Sequence, residues 1–133
     1  MLKTPGRTIV LKDDGEMQQY VYMGDLKNSS MALVHELEPN TEEYYFINKR
    51  TGTVDTLVGP PVFYPNTMNI VCLEGMNTDV KQRIQVGKIV DGRFRMRFYL
   101  RIKGEINPGY VYWADVHTLF LNDNNEKFYK LTF

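Results

Sequence analysis

The chain is poor in the residues that build covalent and metal-centred chemistry. A single cysteine, Cys72, excludes an intrachain disulfide and a cysteine-built zinc site. It stands in the apolar run Asn69-Ile-Val-Cys-Leu73 without a cationic neighbour in sequence, so it reads as a small buried hydrophobe rather than a reactive thiol. The 2 histidines, His35 and His117, are too far apart to form a local ligand pair, and no glycine-rich phosphate loop is present. The oxygen-rich stretches Asp13–Glu16 and Asn122–Glu126 do not follow the ligand spacing of a calcium loop and read as hairpin turns. Neither a metal nor a cofactor is expected.

Charge bias is lacking too. Lys+Arg and Asp+Glu each number 16, leaving zero net charge, whereas a dedicated nucleic-acid binder carries a basic excess. No run approaches the roughly 18 consecutive apolar residues of a membrane-spanning helix. The start, Met1–Arg7, has no apolar signal core. The expected location is cytoplasmic, or extracytoplasmic if an export signal has been removed. Sustained helical spacing is also missing, because Gly, Pro, Asn and Asp interrupt the chain about every ten residues.

Aromatic residues, by contrast, are plentiful: 9 Tyr, 7 Phe and 1 Trp, a load that suits strands. The clearest pattern is the unbroken alternation from Arg93 to Lys103. Phe94, Met96, Phe98, Leu100 and Ile102 occupy one parity, and Arg93, Arg95, Arg97, Tyr99, Arg101 and Lys103 the other. In an extended chain this makes one apolar and one basic face. Further strands are expected at 8–12, 19–26, 31–37, 44–48, 54–58, 62–64, 68–73, 83–90, 110–113, 118–121 and 128–132. Asp91-Gly92 carries the signature of a two-residue hairpin. Asn48-Lys-Arg-Thr-Gly52 reads as a longer one with Gly at its left-handed position. Strands joined this tightly are antiparallel neighbours.

The strands fall into groups of four: 19–26 to 54–58, then 62–64 to 94–102, then a third group from 110 that runs out after three. Their starts recur at roughly the 40–50 residue period of propeller blades. The expectation is one all-β domain over 1–133, an antiparallel meander in blade-like units 19–58, 61–103 and 110–133. Three units make an incomplete or three-bladed propeller-like arrangement; a β-sandwich or barrel is the alternative. The strand at 8–12 is expected to complete the third group, and pairing of two chains as a homodimer would bury the open ends. The expected core contains Val10, Val21, Phe46, Val62, Ile70, Val86, Phe94, Phe98, Trp113, Leu119 and Phe128.

Two stretches carry a family likeness. Tyr44–Gly52 followed by Thr56–Asn66 resembles the blade junction of TolB-type and WD-type propeller modules, with Tyr64, Asn66 and Thr67 where that junction has Ser, Asp and Gly. Tyr112–Leu121 is similar to the next junction. From Ile9–Asp13 onward the order of segments resembles a family of small, propeller-like, often exported bacterial proteins. The resemblance implies a fold and a habitat and no reaction.

Three functional readings follow. The first is a non-catalytic binding or interaction module, its partner a protein or small molecule, with no catalytic residues. The second is a polyanion binder, for nucleic acid or a sulfated glycan, through Arg93, Arg95, Arg97 and Arg101. That strand spans roughly 36 Å, with Tyr99 placed to stack. Charged edges also keep strands from aggregating, and Glu36, Glu38, Glu42 and Glu43 offer cross-strand partners, so with zero net charge the ladder reads first as a solvated edge, and Arg95, Arg97 and Arg101 are the candidates should it bind a ligand. The third is a hydrolase in which Asp115 orients His117 as a general base. No Ser or Cys nucleophile stands in a recognisable elbow, and a turn bond is the ordinary use of such an Asp. His35 is expected to be an exposed strand residue.

Overall fold

A computed structural model describes residues 2–3, 8–9, 19–26, 29–37, 42–75, 82–102, 106–123 and 127–133. Every regular element among them is a β-strand: β1 (Leu2–Lys3), β2 (Thr8–Ile9), β3 (Gln19–Asp25), β4 (Met31–Leu37), β5 (Glu42–Asn48), β6 (Val54–Leu57), β7 (Pro61–Phe63), β8 (Asn69–Leu73), β9 (Arg83–Val90), β10 (Arg93–Arg101), β11 (Pro108–Asp115), β12 (Thr118–Asp123) and β13 (Phe128–Thr132). They form open antiparallel sheets ordered β3-β4-β5-β6, β10-β9-β8-β7 and β11-β12-β13. The expected grouping of strands is thus the observed one. Thr8 and Ile9 do not join the third sheet; they pair with Lys3 and Leu2 in a two-stranded ribbon. Among the described residues the third sheet stays at three strands, and Val10–Lys12 lie outside those residues.

The chain divides into two compact units, Met1–Leu57 with Val90–Phe94, and Val58–Ile89 with Arg95–Phe133. Within the first unit, Met31, Ala32, Val34, Phe46, Ile47 and Leu57 are buried on strands β4 to β6. Asn48 is buried among them, and its amide bonds at both ends. Oδ1 accepts from Ser30 Oγ (3.0 Å), Arg50 N (2.9 Å) and Thr51 N (3.2 Å), while Nδ2 donates to Gly92 O (3.2 Å). Gly52, at φ 79°, closes the β5–β6 hairpin by donating to Asn48 O (2.6 Å). Asp91 and Gly92, at φ 52° and 73°, form the expected two-residue turn between β9 and β10. A side chain at Gly92 would strike the Asn48 amide.

In the second unit the core is Val71, Leu73, Ile84, Val86, Ile102, Val111, Leu119 and Leu121. Each such side chain, once buried, contributes about 1.5–3 kcal/mol of hydrophobic stabilisation. Sheet β11-β12-β13 is two-faced. The rows Val111–Leu121–Tyr129 and Trp113–Leu119–Leu131 join this core, and the rows Tyr112–Phe120–Lys130 and Tyr110–Asn122–Phe128 do not. Gly59 lies so close to the Leu73 carbonyl that a β-carbon has no room there.

Of the expected core, Phe46, Ile70, Val86 and Leu119 are buried, and Phe94, Phe98 and Trp113 are partly so. Val10 lies outside the described residues. Val21 (45% exposed), Val62 (37%) and Phe128 (64%) are not core. All three sit on edge strands β3, β7 and β13, where a neighbouring strand covers only one side. For Phe128 the parity is also reversed, since Tyr129, Leu131 and Phe133 are the residues packed against the core. His35 is half-buried rather than exposed, its ring stacked on Tyr44 at 4.2 Å.

Asn48→Ala should lower stability by about 2–3 kcal/mol, because it strands several buried hydrogen-bonding groups at once. Asn48→Asp should not restore it, since a carboxylate cannot donate to Gly92 O; urea unfolding of both variants checks this. Cys72 is buried, which pushes its thiol pKa up to about 12. A thiol reagent at pH 8 should therefore leave the native protein unmodified and titrate one thiol after denaturation.

Candidate functional site

β10 is the edge strand of its sheet, in keeping with its place as the last strand of a group of four. Two arginines of this region are closed by carboxylates. Arg93 chelates Asp55 (Nη2 to Oδ1, 2.8 Å), and the neighbouring Phe94 N–H donates to the same carboxylate at 2.9 Å. On β9, Arg83 chelates Glu74 (Nη2 to Oε2, 2.6 Å). These bonds hold both guanidinium groups in their charged form. Arg95, Arg97 and Arg101 are exposed and have no carboxylate partner among the described residues.

The glutamates expected to face the ladder are used elsewhere or undescribed. Register on β4–β5 sets Glu36 opposite Glu43, and the Tyr45 hydroxyl donates to both, at 2.8 Å to Glu43. Burial first, and then the two carboxylates, hold that phenol far above its usual range. Glu38 and the side chain of Glu42 lie outside the described residues. The apolar parity of β10 also needs correction. Ile102 is buried and Phe94, Phe98 and Leu100 partly so, but Met96 is 54% exposed. An edge strand lacks a second neighbour to cover it.

Phe133 gathers an aromatic cluster in the second unit. Its ring stacks on Phe98 (5.7 Å) and meets Trp113 edge-on (6.2 Å), and Trp113 in turn meets Tyr64 (5.6 Å). The Trp113 indole N–H donates to Val62 O at 2.9 Å. The Arg97 guanidinium carbon lies 6.0 Å from the Phe133 ring centre, within cation–π range. Tyr99 Oη accepts from Arg101 Nε at 3.3 Å. The basic strand and the Trp113 region thus meet at one residue. Phe133 was not among the residues expected from the sequence, which put Phe128 in the core; the Tyr129, Leu131, Phe133 parity is the signal that points to it. Its encounter with Arg97 required the tertiary fold.

Asp115 and His117 are adjacent in a turn. The Asp115 carboxylate accepts the His117 main-chain N–H (2.8 Å), and that bond lowers its pKa. The His117 imidazole instead lies edge-on to Phe133 at 6.4 Å. Asp115 is engaged with main chain, as an Asx turn requires.

A second surface lies on the outer face of β11-β12-β13. Tyr110 (63%), Tyr112 (47%), Phe120 (38%) and Phe128 (64%) are exposed there, with Lys130 at the end of one row. A contiguous aromatic surface of this kind is a common mark of an interaction face. Among the described residues no three His, Cys, Asp or Glu side chains converge as a metal site, and no helix is long and apolar enough to cross a membrane.

No protein-family model, curated protein or solved structure matches this chain. This arrangement is chemically suited to electrostatic and aromatic recognition. Trp113 is the only tryptophan, so it reports on the Phe133 cluster. Phe133→Ala should shift its fluorescence emission to the red and increase quenching by iodide.

Proposed function

We propose that the protein is a non-catalytic binding module that takes an anionic partner along the exposed part of β10. The observation that supports this is the division among its arginines. Arg83 and Arg93 are neutralised by chelating carboxylates, whereas Arg95, Arg97 and Arg101 present their charge to solvent from a single edge strand. Aromatic rings flank two of the three, Phe133 beside Arg97 and Tyr99 beside Arg101. Desolvated by a ligand, such arginines make strong charge-assisted bonds. Three successive antiparallel sheets also fit a blade-like, propeller-related architecture used as an interaction scaffold.

A polyanionic chain, nucleic acid or sulfated glycan, is the second reading and uses the same three arginines. Zero net charge gives it no long-range steering, which favours a shorter-range protein partner. The hydrolase reading draws no support from Asp115, whose carboxylate serves the turn.

Heparin serves as a general polyanionic probe of this site. The protein should be retained at low salt and elute steeply as salt rises. The triple variant Arg95→Ser, Arg97→Ser, Arg101→Ser should flow through with an unchanged circular dichroism spectrum. Flow-through of the wild-type protein at low salt would overturn the reading.

A further inference from the structure

Resting on that binding reading, we infer that the partner is an extended acidic polypeptide segment that adds to β10 as a further antiparallel strand, its side chains alternating acidic and apolar. The argument begins at the Asp91-Gly92 turn. In a two-residue hairpin of this type the flanking residues, Val90 and Arg93, hydrogen-bond to each other. Main-chain groups then alternate, so those of Phe94, Met96 and Phe98 point away from β9. The Phe94 N–H, donated to the Asp55 carboxylate and not to β9, has that outward direction. At the far end Ile102 N donates to Gln82 O, so the outward run stops before it. Among the described residues no strand pairs with that edge of β10, which leaves Met96 and Phe98 as its donors and acceptors.

The same alternation specifies the occupant. On an added antiparallel strand, Met96 and Phe98 become hydrogen-bonded positions, and Arg95 and Arg97 become non-hydrogen-bonded ones. Opposing side chains approach most closely at the latter. Carboxylates opposite Arg95 and Arg97 form cross-strand ion pairs, with Arg101 available beyond them. Apolar residues opposite Met96 and Phe98 cover a methionine that is 54% exposed and extend the Phe98–Phe133 stack. A second copy of β10 is the wrong occupant, because antiparallel self-pairing sets arginine against arginine. The charges that block adventitious pairing of the edge therefore select an acidic strand.

The test uses the whole protein and capped synthetic peptides about as long as β10, alternating Glu–Val, Lys–Val or Glu–Ser. The Glu–Val peptide should bind and slow amide hydrogen exchange at Met96 and Phe98. The Lys–Val peptide should not bind, and the Glu–Ser peptide should bind more weakly. Arg95→Glu with Arg97→Glu should weaken Glu–Val binding by roughly tenfold or more and turn preference toward Lys–Val, a gain that misfolding cannot produce. Retention on heparin without Glu–Val binding would overturn the strand-addition inference while leaving the anionic site standing. Glu–Val binding that leaves the Met96 and Phe98 amides unprotected would overturn it as well, showing charge attraction alone. Flow-through on heparin at low salt would remove the binding reading itself, and the strand-addition inference with it.

Discussion

The hydrogen bond from the buried Asn48 amide to the Gly92 carbonyl is the contact on which the arrangement of β10 depends. A buried amide has to be satisfied on both of its ends. Asn48 uses its oxygen to close the turn from β5 to β6 and its nitrogen to hold the turn from β9 to β10. That second turn sets the phase of everything after it. Slipping the hairpin by one residue would exchange the arginine face for the apolar face along the whole strand. The Arg93–Asp55 chelate and the bond from Phe94 to the same carboxylate pin the phase a second time, just beyond the turn.

Electrostatics in this molecule is local. A chain with zero net charge has little field to project, so each charge is defined by its nearest neighbour. Arg83 and Arg93 are absorbed into two-pronged ion pairs, Lys49 is paired with Asp25 at 2.8 Å, and Glu36 and Glu43 share one tyrosine hydroxyl. Glu36 is buried with its carboxylate facing a second one across the strands, and Tyr45 donates into that arrangement. Against that background the solvent-facing guanidinium groups of Arg95, Arg97 and Arg101 stand apart.

Strand positions and their grouping were legible because both follow from local rules. Alternation marks a strand, and Asp-Gly or a Gly-ended loop marks the turn that makes two strands neighbours. The fully buried residues of the expected core lie where a strand has neighbours on both sides, or next to such a strand. Ile70, Val86 and Leu119, on β8, β9 and β12, are interior strand residues and are buried. Val21, Val62 and Met96, on edge strands, follow the same alternation and are exposed. At β13 the eye is drawn to Phe128, yet Lys130 shares its parity and Tyr129 and Leu131 carry the packing. The Asp115-Val-His117 spacing suggested a catalytic pair, and a carboxylate two residues from an amide turned out to prefer the nearest N–H.

The sequence by itself determined an all-β antiparallel chain, the three groups of strands, the tight turns and the basic parity of β10. Each of these depends on residues close together along the chain. Only the tertiary structure decided which arginines are neutralised, that Phe133 draws Arg97 and Trp113 to one place, and that one face of the third sheet stays aromatic and open. Those outcomes depend on which distant strand covers which face. Alternation tells a side chain which way to point, and long-range packing decides what it meets there.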